Sequence, residues 1–231
     1  MPITVVAVEG MPEVGPGDSL AELIAGRADL HDGDVLVVTQ KVVSKSEGRV
    51  AGVDASDVAA RVALAEAEAV RVLRRRGPLV VTETRHGFVC ANSGVDLSNV
   101  PAGTATLLPV DPDRSARRIR DGLRARTGVA VGVIVSDTFG RPWRQGVVDV
   151  AIGCAGIAAV VDLRGTVDGA GRELEVTQVA VADELAAAAE LVMGKAAGIP
   201  AAVVRGVHRS WLRESSVRAE LVRSHGDDLF R

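Results

Sequence analysis

The chain has 231 residues, of which 47% are hydrophobic, and its 27 Lys and Arg against 30 Asp and Glu give a net charge of −3. This content suffices for one sizeable aliphatic core, and the slightly acidic balance argues against a nucleic-acid-binding protein. The sequence has neither an apolar run long enough to cross a membrane nor a secretory signal pattern, and Cys90 and Cys154 lie far apart. We therefore expect a cytoplasmic protein whose two thiols are buried and reduced.

In chain order, the first half of the sequence predicts short strands and helices separated by turns. Strands are predicted at residues 4–8, 35–39, 79–84 and 87–91, the last two as a hairpin. Helices are predicted at residues 19–25 and at residues 55–76, where apolar side chains recur at helical spacing. Arg74, Arg75 and Arg76 are assigned to the end of the second helix, where cations meet the negative end of the helix dipole. Polar loops are predicted at residues 40–48 and 92–99.

The second half predicts longer elements in a mixed order. An amphipathic helix at residues 112–127 precedes an apolar strand at residues 129–135 that ends in Ser136, Asp137 and Thr138. A Gly- and Arg-rich loop at 139–146 leads into an apolar, strand-like segment at 147–161. The remaining predictions are a helix at 177–193 capped by Thr177, a strand at 201–204 and a charged, partly helical tail at 207–231. Because strands and helices do not alternate strictly, the class is α+β or irregular α/β.

Two polar loops contain candidate metal ligands. One holds Asp96 and Asn99, and the other holds Asp137 and Thr138 at the end of a buried strand. Mg²⁺ takes oxygen ligands, typically one or two carboxylates together with phosphate oxygens and water. The alternative is that both Asp side chains cap turns, as Asp commonly does.

The chain has only three lysines among its 27 cationic residues: Lys41, Lys45 and Lys195. A lysine ammonium is a compact point charge suited to a phosphate or carboxylate oxygen, although a solvated loop would also explain the first two. Arg141 and Arg144 flank Trp143 and could grip an anion beside a stacked ring, or Trp143 could pack in a subunit interface. No P-loop, dinucleotide-binding glycine motif or nucleophile elbow occurs, so any nucleotide must bind to an unusual site. His86 and His208 are candidate bases by residue type alone.

Five segments, in this order along the chain, together resemble the coenzyme F420-0:L-glutamate ligase family. They are VEGMPEVGPGD (8–18), DGDVLVVTQKVVSKSEGR (32–49), ANSGVDLSNV (91–100), VGVIVSDTFGRPWRQGVVDVAIG (131–153) and GRELEVTQVAVADELAAAAELVMGKAAGIPAAVVRG (171–206). The resemblance implies an α+β fold of mixed sheets with flanking helices and an intertwined homodimer. It also implies that L-glutamate is joined to coenzyme F420-0 through an acyl phosphate, with γ-linked extension afterwards. GTP is the implied co-substrate, with Mg²⁺ or Mn²⁺ as cofactor and K⁺ as an additional ion.

Matching positions in these motifs carry the family's site residues onto this chain. Asp96 and Asp137 are implied to bind one metal ion and Thr138 a second. The implied nucleotide contacts are Met11, Pro12, Glu13, Val14, Gln40, Lys41, Lys45, Asn99, Met193, Gly194, Lys195, Ala196, Ala197, Gly198 and Ile199. Asp137, Lys45, Lys195 and Arg144 are expected to act in the reaction. Lys195 stands where archaeal members carry a Glu, which leaves the number of metal ions open.

Residues 1–231 are expected to form one ligase domain, with about the last 20 residues as a tail or linker. The Lys195 pattern is similar to the N-terminal part of two-domain forms, which continue into a flavin-binding, nitroreductase-like domain. Two alternatives remain open at this point. One is a non-catalytic or partner-dependent nucleotide-binding regulatory module, and the other is a related acid–amino-acid ligase with a different acceptor. Neither nucleic acid nor a membrane is an expected partner.

Overall fold

The computed structural model describes residues 2–228, which fold into short strands around one larger sheet with helices packed on it. The strands are β1 (Thr4–Ala7), β2 (Val35–Thr39), β3 (Val50–Gly52), β4 (Ala69–Arg76), β5 (Leu79–Thr84), β6 (Val89–Ala91), β7 (Thr104–Thr106), β8 (Gly132–Arg141), β9 (Arg144–Ala155), β10 (Val161–Asp162), β11 (Gln178–Val179) and β12 (Ala201–Arg205). The helices are α1 (Leu20–Ala25), α2 (Gln40–Ser46), α3 (Val58–Ala67), α4 (Pro112–Thr127), α5 (Val181–Met193) and α6 (Val217–Glu220), with single 3-10 turns at Asn92–Gly94, Arg209–Trp211 and His225–Asp227.

The main sheet has five strands in the order β1-β12-β2-β8-β9, and only β2 and β8 run parallel. Four consecutive residues of β2 and of β12 are buried, as expected for strands that are covered on both faces. Helices α4 and α5 pack on this sheet and bury Ile119, Leu123 and Leu185 in an aliphatic core. The predicted α+β class with mixed sheets and flanking helices is confirmed.

Three small sheets lie outside the main one: β4-β5-β6, β3-β7 and β10-β11. The free thiols of Cys90 and Cys154 are buried, as predicted. No helix within residues 2–228 is long and apolar enough to cross a membrane. Part of the tail is bound to the domain, because the buried Asp113 carboxylate accepts the backbone N–H groups of Val217 and Arg218 at the start of α6, and Leu221 and Val222 pack against the core.

The predicted helix at residues 55–76 is wrong in its second half. Helix α3 ends at Ala67, and residues 69–76 form β4, which pairs antiparallel with β5. Arg74, Arg75 and Arg76 therefore lie in a strand rather than at a helix end. The β-branched residues Val70 and Val72 favour an extended chain, and an Arg71–Glu83 ion pair of 2.8 Å joins the two strands.

Three other boundaries differ from the predictions. Residues 40–46 form α2 rather than a loop, because Gln40, Val43 and Ser44 are buried there. Residues 139–146 are not a loop, since β8 continues to Arg141 and β9 begins at Arg144, so the predicted strand at 147–161 starts earlier and ends at Ala155. Helix α5 begins at Val181 without a side-chain cap, and Thr177 instead precedes β11, whose pairing with β10 competes with an earlier helix start.

A β-bulge in the β8–β9 pair sets the geometry that follows. Val135 pairs with Gly153, but the next residue, Ser136, pairs with Ala151, so one residue of β9 is left without an opposite partner. The Asp183 carboxylate accepts the Ala151 N–H at 2.9 Å and thereby ties α5 to the bulge. Beyond the bulge, Thr138 lies directly opposite Asp149.

Candidate functional site

A polar cleft lies at the carboxyl end of β2, where the parallel pairing with β8 ends at the pair Thr39–Ser136. Loops that follow adjacent parallel strands converge at this edge of a sheet, which is the usual place for a ligand site in such sheets. Its walls are formed by residues 11–14, the first turn of α2, the 96–99 loop, the segment after Ser136 in β8, and the turn after α5. Segments that are far apart in sequence therefore meet in one cleft.

Asp137 lies in the cleft, with Asp96 and Asp149 as its acidic neighbours. The pKa of Asp137 is raised from 3.8 to about 7, chiefly because the group is buried and in addition because of the negative charges of Asp96 and Asp149. The Thr138 backbone N–H and the Lys195 ammonium oppose this shift but do not cancel it. A carboxylate in such surroundings is stabilised by a nearby cation.

Lys41 is bound to the 96–99 loop. Its Nζ lies 2.8 Å from Asp96 Oδ2 and donates to the Ser98 carbonyl and hydroxyl oxygens at 2.6 and 2.5 Å. Burial acts to raise the pKa of Asp96, but hydrogen bonds from Lys41 and from the Ser98 N–H outweigh it and hold that pKa below its ordinary value. Asp96 is therefore ionised at neutral pH.

Lys45 links two walls of the cleft from a largely buried position. Its ammonium donates to Glu13 Oε1 at 2.5 Å and to the Asn99 carbonyl oxygen at 3.0 Å. Asn99 has a positive φ of 53°, and its side-chain Nδ2 donates to the Lys195 carbonyl oxygen at 3.4 Å. These bonds connect the N-terminal segment, the 96–99 loop and the turn after α5.

Lys195 lies on the opposite side of the cleft, at the turn that ends α5. Its ammonium contacts the Thr138 hydroxyl and lies 3.5 Å from Asp149 Oδ1 and 3.7 Å from Glu190 Oε1. Asp149 is only 2% exposed and also accepts hydrogen bonds from Ser136 Oγ at 2.9 Å and Thr138 Oγ1 at 2.5 Å. The lysine is thus held next to two carboxylates.

Gln40 contributes a buried polar atom to the wall of the cleft. Its Oε1 lies 2.9 Å from Ser44 Oγ, whereas its Nε2 has no hydrogen-bond partner among residues 2–228. Leaving a buried donor unpaired costs roughly 1–3 kcal/mol. An acceptor atom on a bound ligand would remove this cost, so the atom indicates a ligand-binding role.

Most of the sequence-predicted site residues come together in this cleft. Those that line it are Met11, Pro12, Glu13, Val14, Gln40, Lys41, Lys45, Asp96, Asn99, Asp137, Thr138, Gly194, Lys195, Gly198 and Ile199. Met193 is instead packed in the core, and Ala196 and Ala197 are exposed in the turn without lining the cleft. Arg144 is exposed at the start of β9 and does not line it.

Neither histidine named from the sequence reaches the cleft. His86 is buried elsewhere, with Nε2 2.9 Å from the Pro109 carbonyl oxygen, and loss of solvent lowers its pKa. His208 lies beside Ser210 in a 3-10 turn.

Sequence reasoning missed several residues of the cleft: Thr39, Val42, Ser98, Ser136, Asp149, Glu190 and Pro200. Asp149 could have been found, because it is a single carboxylate within the apolar run 147–155, and a charged residue is rarely buried unless it is paired. Glu190 offered no such signal, since an acidic residue near the end of a surface helix is ordinary.

The oxygen atoms of the cleft fit a hard divalent cation in part. Among residues 2–228, no group of three or more His, Cys, Asp or Glu side chains is arranged to hold a metal ion by itself. Asp96 and Asp137 nevertheless offer the one or two carboxylates that Mg²⁺ usually takes when phosphate oxygens and water complete its shell. The donor set suits an ion that binds together with a phosphorylated ligand.

Comparison with known proteins identifies the family. The model of the family described as F420-0:Gamma-glutamyl ligase matches residues 10–206. The chain is 47% identical, over 251 aligned positions covering all of both chains, to "Coenzyme F420:L-glutamate ligase" of Methanothermobacter thermautotrophicus. It is 48% identical to the protein of that name from Methanopyrus kandleri, over 95% of this chain and 94% of the relative. The protein of that name from Archaeoglobus fulgidus is 44% identical, over 100% of this chain and 97% of its own length. By these matches, the chain belongs to the F420-0:gamma-glutamyl ligase family.

Proposed function

We propose that this protein joins L-glutamate to coenzyme F420-0, with GTP as co-substrate and Mg²⁺ or Mn²⁺ as cofactor, and then adds further glutamates in γ-linkage. The observation that carries the proposal is the convergence of all three lysines with Asp96 and Asp137 on one cleft, in a chain of this family. The sequence contains no P-loop motif. We therefore assign the binding of the GTP phosphates to this cleft.

Asp96 and Asp137 would hold the divalent ion, whose chemistry there is to neutralise negative charge on the phosphate groups. The raised pKa of Asp137 supports this assignment, because burial and the charges of Asp96 and Asp149 disfavour the ionised carboxylate, and a bound cation would stabilise it. Asp96 is already ionised, and its Lys41 partner keeps it oriented towards the cleft wall.

The lysines and the amide of Gln40 would bind the nucleotide. Lys45 is held by Glu13 and the Asn99 carbonyl, so its charge is fixed within the cleft before any ligand arrives. Gln40 Nε2 is a buried donor without a hydrogen-bond partner among residues 2–228, and an oxygen or nitrogen atom of the nucleotide would accept its hydrogen bond. Gly194 and Gly198, both at positive φ, shape a turn that brings backbone groups to the cleft edge.

The proposed reaction has two steps. A carboxylate oxygen of F420-0 attacks the γ-phosphorus of GTP, the bond to the β-phosphate oxygen breaks, and GDP leaves. The glutamate amine then attacks the carbonyl carbon of the resulting acyl phosphate, loses a proton, and expels inorganic phosphate. Phosphoryl transfer depends mainly on positioning and charge neutralisation, and fixed ammonium groups such as those of Lys45 and Lys195 supply both.

The proposal includes a homodimer. Trp143 is 83% exposed at the turn between β8 and β9, and Val147 is exposed on the same hairpin. Apolar side chains displayed together on a projecting hairpin commonly mark a protein–protein interface.

Mass spectrometry of the products tests the proposed activity. The protein is incubated with F420-0, L-glutamate, GTP and Mn²⁺ or Mg²⁺, and a mass gain of one or more glutamyl units with matching GDP release is expected. Asp137→Asn should lose this mass gain, whereas the matched control Asp121→Asn should keep it, because Asp121 is exposed on α4 and does not line the cleft. An unchanged F420-0 mass while GTP still binds would reject the ligase proposal in favour of a regulatory module.

A further inference from the structure

The ammonium of Lys195 lies where a second divalent ion was expected to bind. The family resemblance assigns Thr138 as a ligand of that second ion, yet the Thr138 hydroxyl is in contact with Lys195 Nζ. Asp149 Oδ1 and Glu190 Oε1 also lie close to the same ammonium, at 3.5 and 3.7 Å. A divalent cation could not share these oxygens with the ammonium, because two like charges in direct contact repel strongly.

Lys195 is held firmly for a lysine whose side chain is 60% exposed. Its partner Asp149 is buried and fixed by hydrogen bonds from Ser136 and Thr138 on the neighbouring strand. Its own carbonyl oxygen accepts a hydrogen bond from the Asn99 amide. The backbone and the charged end of the side chain are therefore both tied to the cleft.

We propose that Lys195, positioned by Asp149 and Glu190, is a built-in cation that takes the place of a second divalent ion, so that the protein works with one divalent ion per chain. This inference rests on the proposed function, because it concerns the cation requirement of the same phosphate site. Asp149 and Glu190 act as positioning residues, since they hold the ammonium and need not contact the substrate.

Counting bound Mn²⁺ tests the proposal without relying on turnover. The protein is titrated with Mn²⁺ in the presence of a GTP analogue whose γ-phosphate cannot be transferred, and free Mn²⁺ is measured by electron paramagnetic resonance. We expect one Mn²⁺ per chain. Lys195→Ala frees the oxygens of Thr138, Asp149 and Glu190, so that variant is expected to bind two.

Activity at different metal concentrations provides a second readout. Lys195→Ala should lower kcat about 100-fold at low Mn²⁺, as expected for the loss of one charge partner in the transition state, and regain part of it at high Mn²⁺. Glu190→Gln, which changes a partly exposed side chain, should shift the Mn²⁺ dependence in the same direction but less. Asp149→Asn should raise the KM for GTP while the fold stays intact, which circular dichroism checks.

Three outcomes separate this inference from the proposed function. Two Mn²⁺ per wild-type chain would overturn the inference while leaving the ligase proposal intact, and so would a Lys195→Ala variant that still binds only one. Failure of the wild-type protein to bind either the analogue or Mn²⁺ would overturn both.

Discussion

Replacing Asp137 with Asn should abolish most activity while making the metal-free protein more stable at alkaline pH. The substitution keeps the shape of the side chain but removes the charge proposed to hold the divalent ion. Loss of one charge interaction that acts in the transition state costs about 3 kcal/mol, or roughly 100-fold in kcat. Because Asp137 lies in the cleft and interacts with the charges of Asp96, Asp149 and Lys195, we expect at least that reduction.

The stability change follows from the pKa of Asp137, which is raised from 3.8 to about 7 in the folded protein. A raised pKa means that the folded state binds this proton more tightly than the unfolded state does. The ionised carboxylate therefore lowers the free energy of unfolding progressively as pH rises from about 4 to about 7, and the loss is complete above that range. Three pKa units at 1.36 kcal/mol each set an upper limit of roughly 4 kcal/mol, which solvent near the cleft will reduce.

Urea unfolding in the presence of a chelator at pH 4 and pH 8 measures this effect. The Asp137→Asn variant should exceed the wild type in stability at pH 8, and the difference should largely vanish at pH 4. Added Mn²⁺ and nucleotide should stabilise the wild type more than the variant. A variant with near-normal kcat would refute the metal assignment, and one less stable than wild type at pH 8 would refute the electrostatic reasoning.

Three further substitutions test other parts of the account. Lys45→Met should weaken nucleotide binding about 100-fold in calorimetry, because it removes a pre-positioned charge; unchanged affinity would exclude Lys45 from the nucleotide site. Gln40→Leu should leave the ligand-free protein as stable or stabilise it by about 1 kcal/mol, since it removes an unpaired buried donor, while nucleotide affinity falls about 10-fold. Gly153→Ala should destabilise the fold by about 3 kcal/mol in urea unfolding, because its Cβ would lie 2.3 Å from the Pro112 carbonyl carbon. Gly140→Ala, with open space around its Cβ, should be nearly neutral, and equal losses in both would contradict the packing argument.

The sequence predicted the main sheet well because its strands carry unambiguous signals. Val35–Thr39 and Ala201–Arg205 are short apolar runs between turns, and they form the centre of the sheet. Helix α4 was predicted with its observed bounds from its amphipathic spacing, and the structure shows Asp111 capping it, Pro112 in its first turn and Gly128 ending it in a left-handed conformation.

Elements whose conformation depends on distant partners were not predictable in this way. Strand β4 has an arginine-rich sequence that also reads as a helix end, and its pairing with β5 decides its conformation. Helix α2 carries polar residues typical of a loop, but its Ser44 hydroxyl donates to the Leu107 carbonyl oxygen across the domain at 2.6 Å. Such contacts have no signature in the local sequence.

The candidate site was predicted mainly because its motifs resemble those of the ligase family. The structure adds the arrangement by which these distant segments line one cleft. The rarity of lysine drew attention to Lys41, Lys45 and Lys195, and all three line the cleft. Arg144 stays a prediction without support from the cleft geometry, because it is exposed at the start of β9 and does not line the cleft. Asp149 was missed because its role depends on the bulge that places it opposite Thr138.

Isotope transfer tests the central claim most directly. F420-0 labelled with ¹⁸O in its reactive carboxylate is incubated with the protein, L-glutamate, GTP and Mn²⁺. The masses of the glutamylated product and of the released phosphate are then measured by mass spectrometry. If the carboxylate attacks the γ-phosphorus, the amide bond to the first glutamate should be matched by one inorganic phosphate that carries one ¹⁸O atom, whereas each later γ-linked addition should release unlabelled phosphate. A product with a single glutamate accompanied by unlabelled phosphate would contradict the acyl-phosphate route, and the absence of glutamylated product would contradict the ligase itself.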